Sequence, residues 1–239
     1  MRYLQKLIIM TAVVFTGTLI FSGCQALSEP PESQLKYFLS PEEDCKAPCW
    51  RTLQPGLSAE KDFLDLVDIS DSGLFDDIKR TKLNPEGVEY SWTDNENGIF
   101  ARVRIHEDRV SLFRFQPIEN NISLSLITEL HGEPSAYGAS LLGSHNDYYV
   151  VLIMIYEHKG LVIEALFPIN LPELQIINTT CEYEIDQGNI PEKLHAYLVE
   201  ADSPELMMQN QYIIDFFSFA YNPLPWDIEE PIQLTSCSS

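Results

Sequence analysis

Three short runs between residues 88 and 115 constrain the fold more than any other feature of the chain. Val88-Glu89-Tyr90-Ser91-Trp92 alternates with period two. Asp94-Asn95-Glu96-Asn97-Gly98 follows as a turn cluster. Then Ile99, Ala101, Val103 and Ile105 alternate with Phe100, Arg102, Arg104 and His106. Glu107-Asp108 is a second tight turn, and Val110 to Phe115 is the third run. Successive side chains of a strand point to opposite faces, so this alternation marks strands buried on one side. Turns this short join antiparallel neighbours. The expectation is an antiparallel meander. A helix is expected before it, because Pro55-Gly56 breaks the chain, Ser58 can cap, and Phe63, Leu64 and Val67 form an apolar stripe.

The pattern then restarts. Ser123 to His131 reads as a short helix with Leu126, Ile127 and Leu130 on one face. Gly132 stands at its stop position and Pro134 follows. Tyr148 to Tyr156, a Glu157-His158-Lys159-Gly160 turn, Leu161 to Phe167 and a run from Leu174 to Ile185 would make a second meander. The fold class expected is therefore α+β, with two helix-plus-antiparallel-meander units, each with its own sheet. Their bounds are 45–118 and 119–186, followed by a C-terminal extension over 187–239. In that extension Ile190-Pro191-Glu192-Lys193-Leu194 opens a possible helix through Val199. Tyr212 to Tyr221 is strand-like, and Pro223 and Pro225 end it.

The N-terminus speaks of location. Arg2 and Lys6 precede an apolar stretch from Leu7 to Phe21, and Ser22-Gly23-Cys24 follows. This is the order of a secretory signal: cations, apolar stretch, small residues. A spanning helix needs about 20 apolar residues, and this run has 15. A cysteine directly after Ser-Gly resembles a bacterial lipoprotein signal. That resemblance implies a signal peptide over 1–23, lipidation at Cys24 and a partner in the membrane itself, through the lipid. It places the chain on the extracytoplasmic side of a cell membrane or outer membrane. Residues 24–44 read as a flexible tether, since Ser28-Glu29-Pro30-Pro31-Glu32-Ser33 has little to bury.

The formal charge is −21, and loss of Arg2 and Lys6 with the signal would make it −23. So acidic a surface repels phosphate backbones and anionic headgroups, which disfavours nucleic acid as a partner. A basic protein would be attracted. Beyond Cys24 there are four cysteines, an even number suited to an oxidising compartment. Three pairings are possible. Cys45 and Cys49 lie four apart, so a local bridge is feasible, and Cys181–Cys237 would then pin the tail. Zinc fits less well, because no histidine completes a finger spacing.

Two passages carry a family likeness. Leu53-Gln54-Pro55-Gly56-Leu57-Ser58-Ala59-Glu60 resembles the Gly-x-Thr/Ser-x-x-Glu helix start of small bacterial lipoproteins of the BamE/SmpA type. Its glutamate comes one place early, with Lys61 where it would fall. Leu130-His131-Gly132-Glu133-Pro134 is similar to the Leu-Gly-x-Pro helix exit of that group. The resemblance implies helices packed on three-stranded antiparallel sheets, and its tandem form is similar to the β-lactamase-inhibitor protein (BLIP) fold. Pro48-Cys49-Trp50 followed by Pro55-Gly56 also resembles uncharacterised lipoproteins of Chloroflexi-type bacteria. The family's assembly role is not carried over, since this chain is far longer and lacks recognisable counterparts of its binding residues.

No catalytic motif stands out. The histidines, His106, His131, His145, His158 and His195, form neither H-x-x-x-H nor H-E-x-x-H and read as solvated. Gly138-Ala139-Ser140 lacks the glycine of a nucleophile elbow. The acids between Asp65 and Asp77 lack the ligand register of a calcium loop, and hairpin chemistry explains residues 94–98. No catalytic residue, metal or cofactor is assigned. Phe216, Phe217, Phe219, Tyr221 and Trp226 crowd the C-terminal segment, and Phe217, Tyr221 and Trp226 are the candidate partner-binding residues. The expected function is a non-catalytic binding or assembly module at the cell envelope. An inhibitor of a secreted enzyme is the alternative, and an envelope hydrolase a third.

Overall fold

The computed structural model describes residues 48–70, 75–83, 87–95, 97–144, 147–169, 175–177, 180–183, 185, 188–200 and 232–234. The expected signal, tether and Cys24 lie outside them.

The first meander forms as its alternation requires. Strands β1 (Asp76–Leu83), β2 (Gly87–Asp94), β3 (Ile99–His106) and β4 (Arg109–Pro117) pair antiparallel in chain order. The buried Asp94 carboxylate closes the β2–β3 turn by accepting from the backbone N–H of Asn97 at 3.0 Å and from its Nδ2 at 2.9 Å. Glu107 and Asp108 turn β3 into β4 with φ of 48° and 61°, the left-handed pair that a two-residue hairpin needs. Helix α1 (Glu60–Ile69) precedes the meander, and its start is held by the Asp62 carboxylate, which accepts from the Ala59 N–H at 2.8 Å. Phe63 is buried, whereas Leu64 faces outward.

Helix α2 (Leu124–His131) comes next. The Ser123 hydroxyl accepts from the Leu126 N–H at its start, and the Gly132 N–H donates to Thr128 at its end. Strands β5 (Ala136–Ser144), β6 (Asp147–Tyr156) and β7 (Leu161–Ile169) then pair antiparallel, with a 3-10 turn over Glu157–Lys159. Gly160 ends that turn at φ 54°, and a Cβ there would collide with the Val199 carbonyl. Short strands β8 (Gln175–Ile177), β9 (Thr180–Tyr183) and β11 (Ile232–Leu234) form a small sheet in the order β11-β9-β8.

One strand overturns the expected pair of sheets. β10 (Lys193–Val199), read from sequence as the start of a helix, runs between β4 and β7 and pairs antiparallel with both. The result is one eight-stranded sheet in the order β1-β2-β3-β4-β10-β7-β6-β5. The physical reason is edge pairing. An unpaired edge leaves a row of N–H and C=O groups without partners. β10 satisfies the edges of β4 and β7 together and fuses the two meanders. Only two helices are present among the described residues, and Phe63 and Ile127 from them join one core rather than two.

That core lies on one face of the sheet. Alternate residues of β2, β3, β4, β10, β7, β6 and β5 enter it, and it is rich in aromatics. Trp50 sits 5.5 Å from Trp92 and 5.3 Å from Phe113 between ring centroids, and Phe63 sits 5.2 Å from Tyr90. Such pairs add about 0.5–1.5 kcal/mol each beyond the area they bury. The turn that delivers Trp50 is strained: Arg51 and Thr52 have φ of 47° and 71°. Reciprocal backbone hydrogen bonds between Trp50 and Leu53 hold it.

Candidate functional site

The opposite face of the sheet carries a polar belt across its centre. Strand register builds it. His195 of β10 lies opposite Glu164 of β7, and Tyr197 lies opposite Arg114 of β4. Arg114 lies opposite Arg102 of β3, and Arg104 stands two residues further along. All point away from the aromatic core, because each neighbours a core residue on its own strand. Around them Leu112, Val151, Val162, Leu166 and Val199 are buried, so the belt crosses an apolar field.

Glu164 is the centre. It is only 3% exposed, and its Oε2 accepts from the Tyr197 hydroxyl and contacts His195 Nδ1, both at 2.7 Å. On the other side of the ring, Arg114 Nη2 lies 3.0 Å from His195 Nε2. A guanidinium has only donors, so Nε2 must offer its lone pair. The ring proton then sits on Nδ1 and is donated to Glu164. An imidazolium would instead set two donors against each other at Nε2. The Arg114 guanidinium also lies 5.7 Å from the centre of the Tyr197 ring. Burial pushes the Glu164 carboxyl upward, but the hydrogen bonds from His195 and the Tyr197 hydroxyl and the Arg114 charge hold it below the ordinary value.

The belt continues through charge pairs. Arg102 Nη1 reaches Glu89 Oε1 at 3.3 Å, and Arg104 Nη2 lies 3.8 Å from Glu89 Oε2. Arg102 also stacks over Phe100 at 4.9 Å. The Nε atoms of Arg102 and Arg114 are buried and make no hydrogen bond. As chemistry, a histidine oriented by a carboxylate resembles the base half of a hydrolytic triad. Here the lone pair that would take a proton already accepts from Arg114. The arrangement orients and neutralises charge within the sheet.

A second polar cluster lies at the end of α2. Lys159 Nζ donates to the His131 carbonyl at 2.9 Å, and the His131 and Tyr156 rings meet edge to face at 5.7 Å. Burial, aided by the Lys159 charge, lowers the His131 ring to about 4. Burial alone raises the Tyr156 phenol. Neither His131 Nε2 nor the Tyr156 hydroxyl makes a hydrogen bond.

The expectations from sequence fare unevenly. Cys24, Cys45, Cys237, Phe217, Tyr221 and Trp226 lie outside the described residues. Cys49 is buried and disulfide-bonded, and Cys181 lies in β9 opposite Leu234. The reading of all histidines as solvated is corrected: His106 and His158 are exposed, but His195 is buried and His131 is half-buried, while His145 lies outside the described residues. Sequence reasoning missed Glu164, His195, Tyr197 and Arg114. The signals were present as a lone glutamate in the apolar run Leu161-Val162-Ile163-Glu164-Ala165 and as period-two alternation in Lys193-Leu194-His195-Ala196-Tyr197. No groups of three or more potential metal ligands gather among the described residues. No family model, curated protein or solved structure matches this chain.

Proposed function

We propose that the protein is an envelope lipoprotein, anchored through Cys24 on the outer side of a bacterial membrane and acting by recognition rather than catalysis. The observation that carries recognition over catalysis is the closed belt: His195 Nε2 accepts from Arg114 and its Nδ1 is engaged by Glu164. The anchor rests on the Arg2-to-Cys24 pattern, and the formal charge of −21 favours a basic protein partner.

Two measurements test this. Mass spectrometry of the membrane-extracted protein should find a diacylglyceryl cysteine at the new N-terminus, and Cys24→Ala should release the chain or block its processing. A processed, membrane-bound Cys24→Ala protein would contradict the anchor. Once a partner is captured, its association rate should fall as salt rises, since exposed charges are screened beyond about 8–10 Å. Trp226→Ala should then speed dissociation. Substrate turnover abolished by Glu164→Gln would overturn the recognition reading.

A further inference from the structure

We propose that the outer edge of β1 is a docking edge for an acidic, extended segment of another protein, which would pair with it as one more strand of the sheet. The proposal concerns a surface of the folded body and stands whether or not Cys24 is lipidated.

The two ends of the large sheet differ. β5 ends one side and packs against β11 of the small sheet. β1 ends the other, and no described strand pairs with its outer edge. Its residues from Asp77 to Lys82 are all exposed. A bulge at Asp77, with φ of 53°, interrupts the strand, and beyond it residues 79–83 present backbone donors and acceptors at regular spacing, to which an added strand binds through main-chain hydrogen bonds.

Side chains decide which strand is admitted. Lys79, Arg80 and Lys82 fall within four residues of a chain whose formal charge is −21. Register splits them between the two faces. Lys79 lies opposite Ser91 on the belt face, whereas Arg80 and Lys82 lie opposite Tyr90 and Val88 on the core face. An incoming strand with carboxylates at alternate positions would meet a cation whichever face those carboxylates took. Arg80 is partly engaged, since its Nε donates to the Tyr90 hydroxyl at 3.2 Å. Lys79 and Lys82 make no ion pair with a described residue.

The same charges exclude other occupants. A second copy paired antiparallel over residues 79–83, the regular stretch beyond the bulge, would set Arg80 against Lys82 twice, and like charges on paired strands are destabilising. A basic segment is refused on the same ground. Lysines are a common guard on exposed edges. Here the guard is selective, because it leaves one chemistry favourable. The acidity of the whole chain opposes an acidic partner at a distance, but that field is screened within about 8 Å at physiological salt. At contact the local cations dominate.

The test uses the full chain and three labelled synthetic peptides. One alternates Glu and Val, one alternates Lys and Val, and one has the Glu/Val composition interrupted by proline. Binding is read by fluorescence anisotropy and by amide hydrogen exchange over residues 76–83. The Glu/Val peptide should bind and slow exchange along β1, more weakly as salt rises. Lys79→Glu with Lys82→Glu should reduce its affinity about tenfold or more, with the fold checked by unchanged exchange in β3 and β4. The other peptides should not bind. Equal binding by the proline peptide would reduce the effect to charge alone and overturn strand addition. Absence of Glu/Val binding, indifference to the double reversal, or a β1-mediated dimer would also overturn the proposal.

Discussion

The two faces of the large sheet are built on opposite principles. The core face is filled by aromatic and aliphatic side chains from the strands, both helices and the Trp50 turn. The other face sets Glu89, Arg102, Arg104, Arg114, His195, Tyr197 and Glu164 across five adjoining strands. The first kind of burial is non-directional and gains with area. The second gains little net energy, but it penalises any register that separates its partners. β10 has long-range partners on both sides, so a register shift of one residue would send His195 into the apolar core. We take the core face to supply stability and the belt to select the register of the closing strand.

Substitutions should separate these roles. Trp92 is 1% exposed and touches Trp50, Phe63 and Phe75, so Trp92→Ala should cost about 3–5 kcal/mol in chemical denaturation. A loss under about 1 kcal/mol would deny the core face its role. In the belt, Glu164→Ala should cost about 3 kcal/mol, because it leaves His195 buried, and Arg114 half-buried, without their carboxylate. Replacing Glu164, His195 and Arg114 together by Met, Leu and Met should recover most of that loss. The triple variant should show broadened β10 resonances if the belt selects register, and sharp native-like ones if it does not.

Acid should act next. The folded His131 ring is held near 4 while its unfolded value is 6.5, so its contribution is complete above 6.5 and is lost as pH falls towards 4. The shift predicts a loss of up to about 2 kcal/mol at pH 5. Glu164, also lowered, adds to the loss only at more acidic pH, below the ordinary carboxylate range. His131→Phe should flatten the first part of the profile and leave the second. The smallest effect belongs to Tyr156→Phe. It removes a buried hydroxyl without a hydrogen bond, so it should leave stability unchanged or raise it by about 1 kcal/mol.

Local chemistry was legible in the sequence and long-range pairing was not. The β2–β4 meander is written in alternation and turn residues, and α2 in Ser123, Gly132 and Pro134. β1 left no pattern, because Asp76-Asp77-Ile78-Lys79-Arg80-Thr81-Lys82-Leu83 is an exposed edge with no face to bury. β5 is diluted by Gly138, Ala139 and Ser140. β10 was misread because Pro191-Glu192 imitates a helix start, whereas the alternation after it carried the better signal. The belt depends on residues 31 and 81 positions apart meeting through strand register, which local pattern does not encode. The two-sheet expectation failed for the same reason: nothing in β4 or β7 announces that a strand from the C-terminal region lies between them.

The closure of the belt depends on the state of one ring. Nitrogen-15 NMR of the His195 imidazole at neutral pH reads it directly, with His195→Gln used to assign the signal. The structure predicts a proton on Nδ1, hydrogen-bonded to Glu164, and a lone pair on Nε2 facing Arg114. A proton on Nε2 in the native protein would contradict the closed belt.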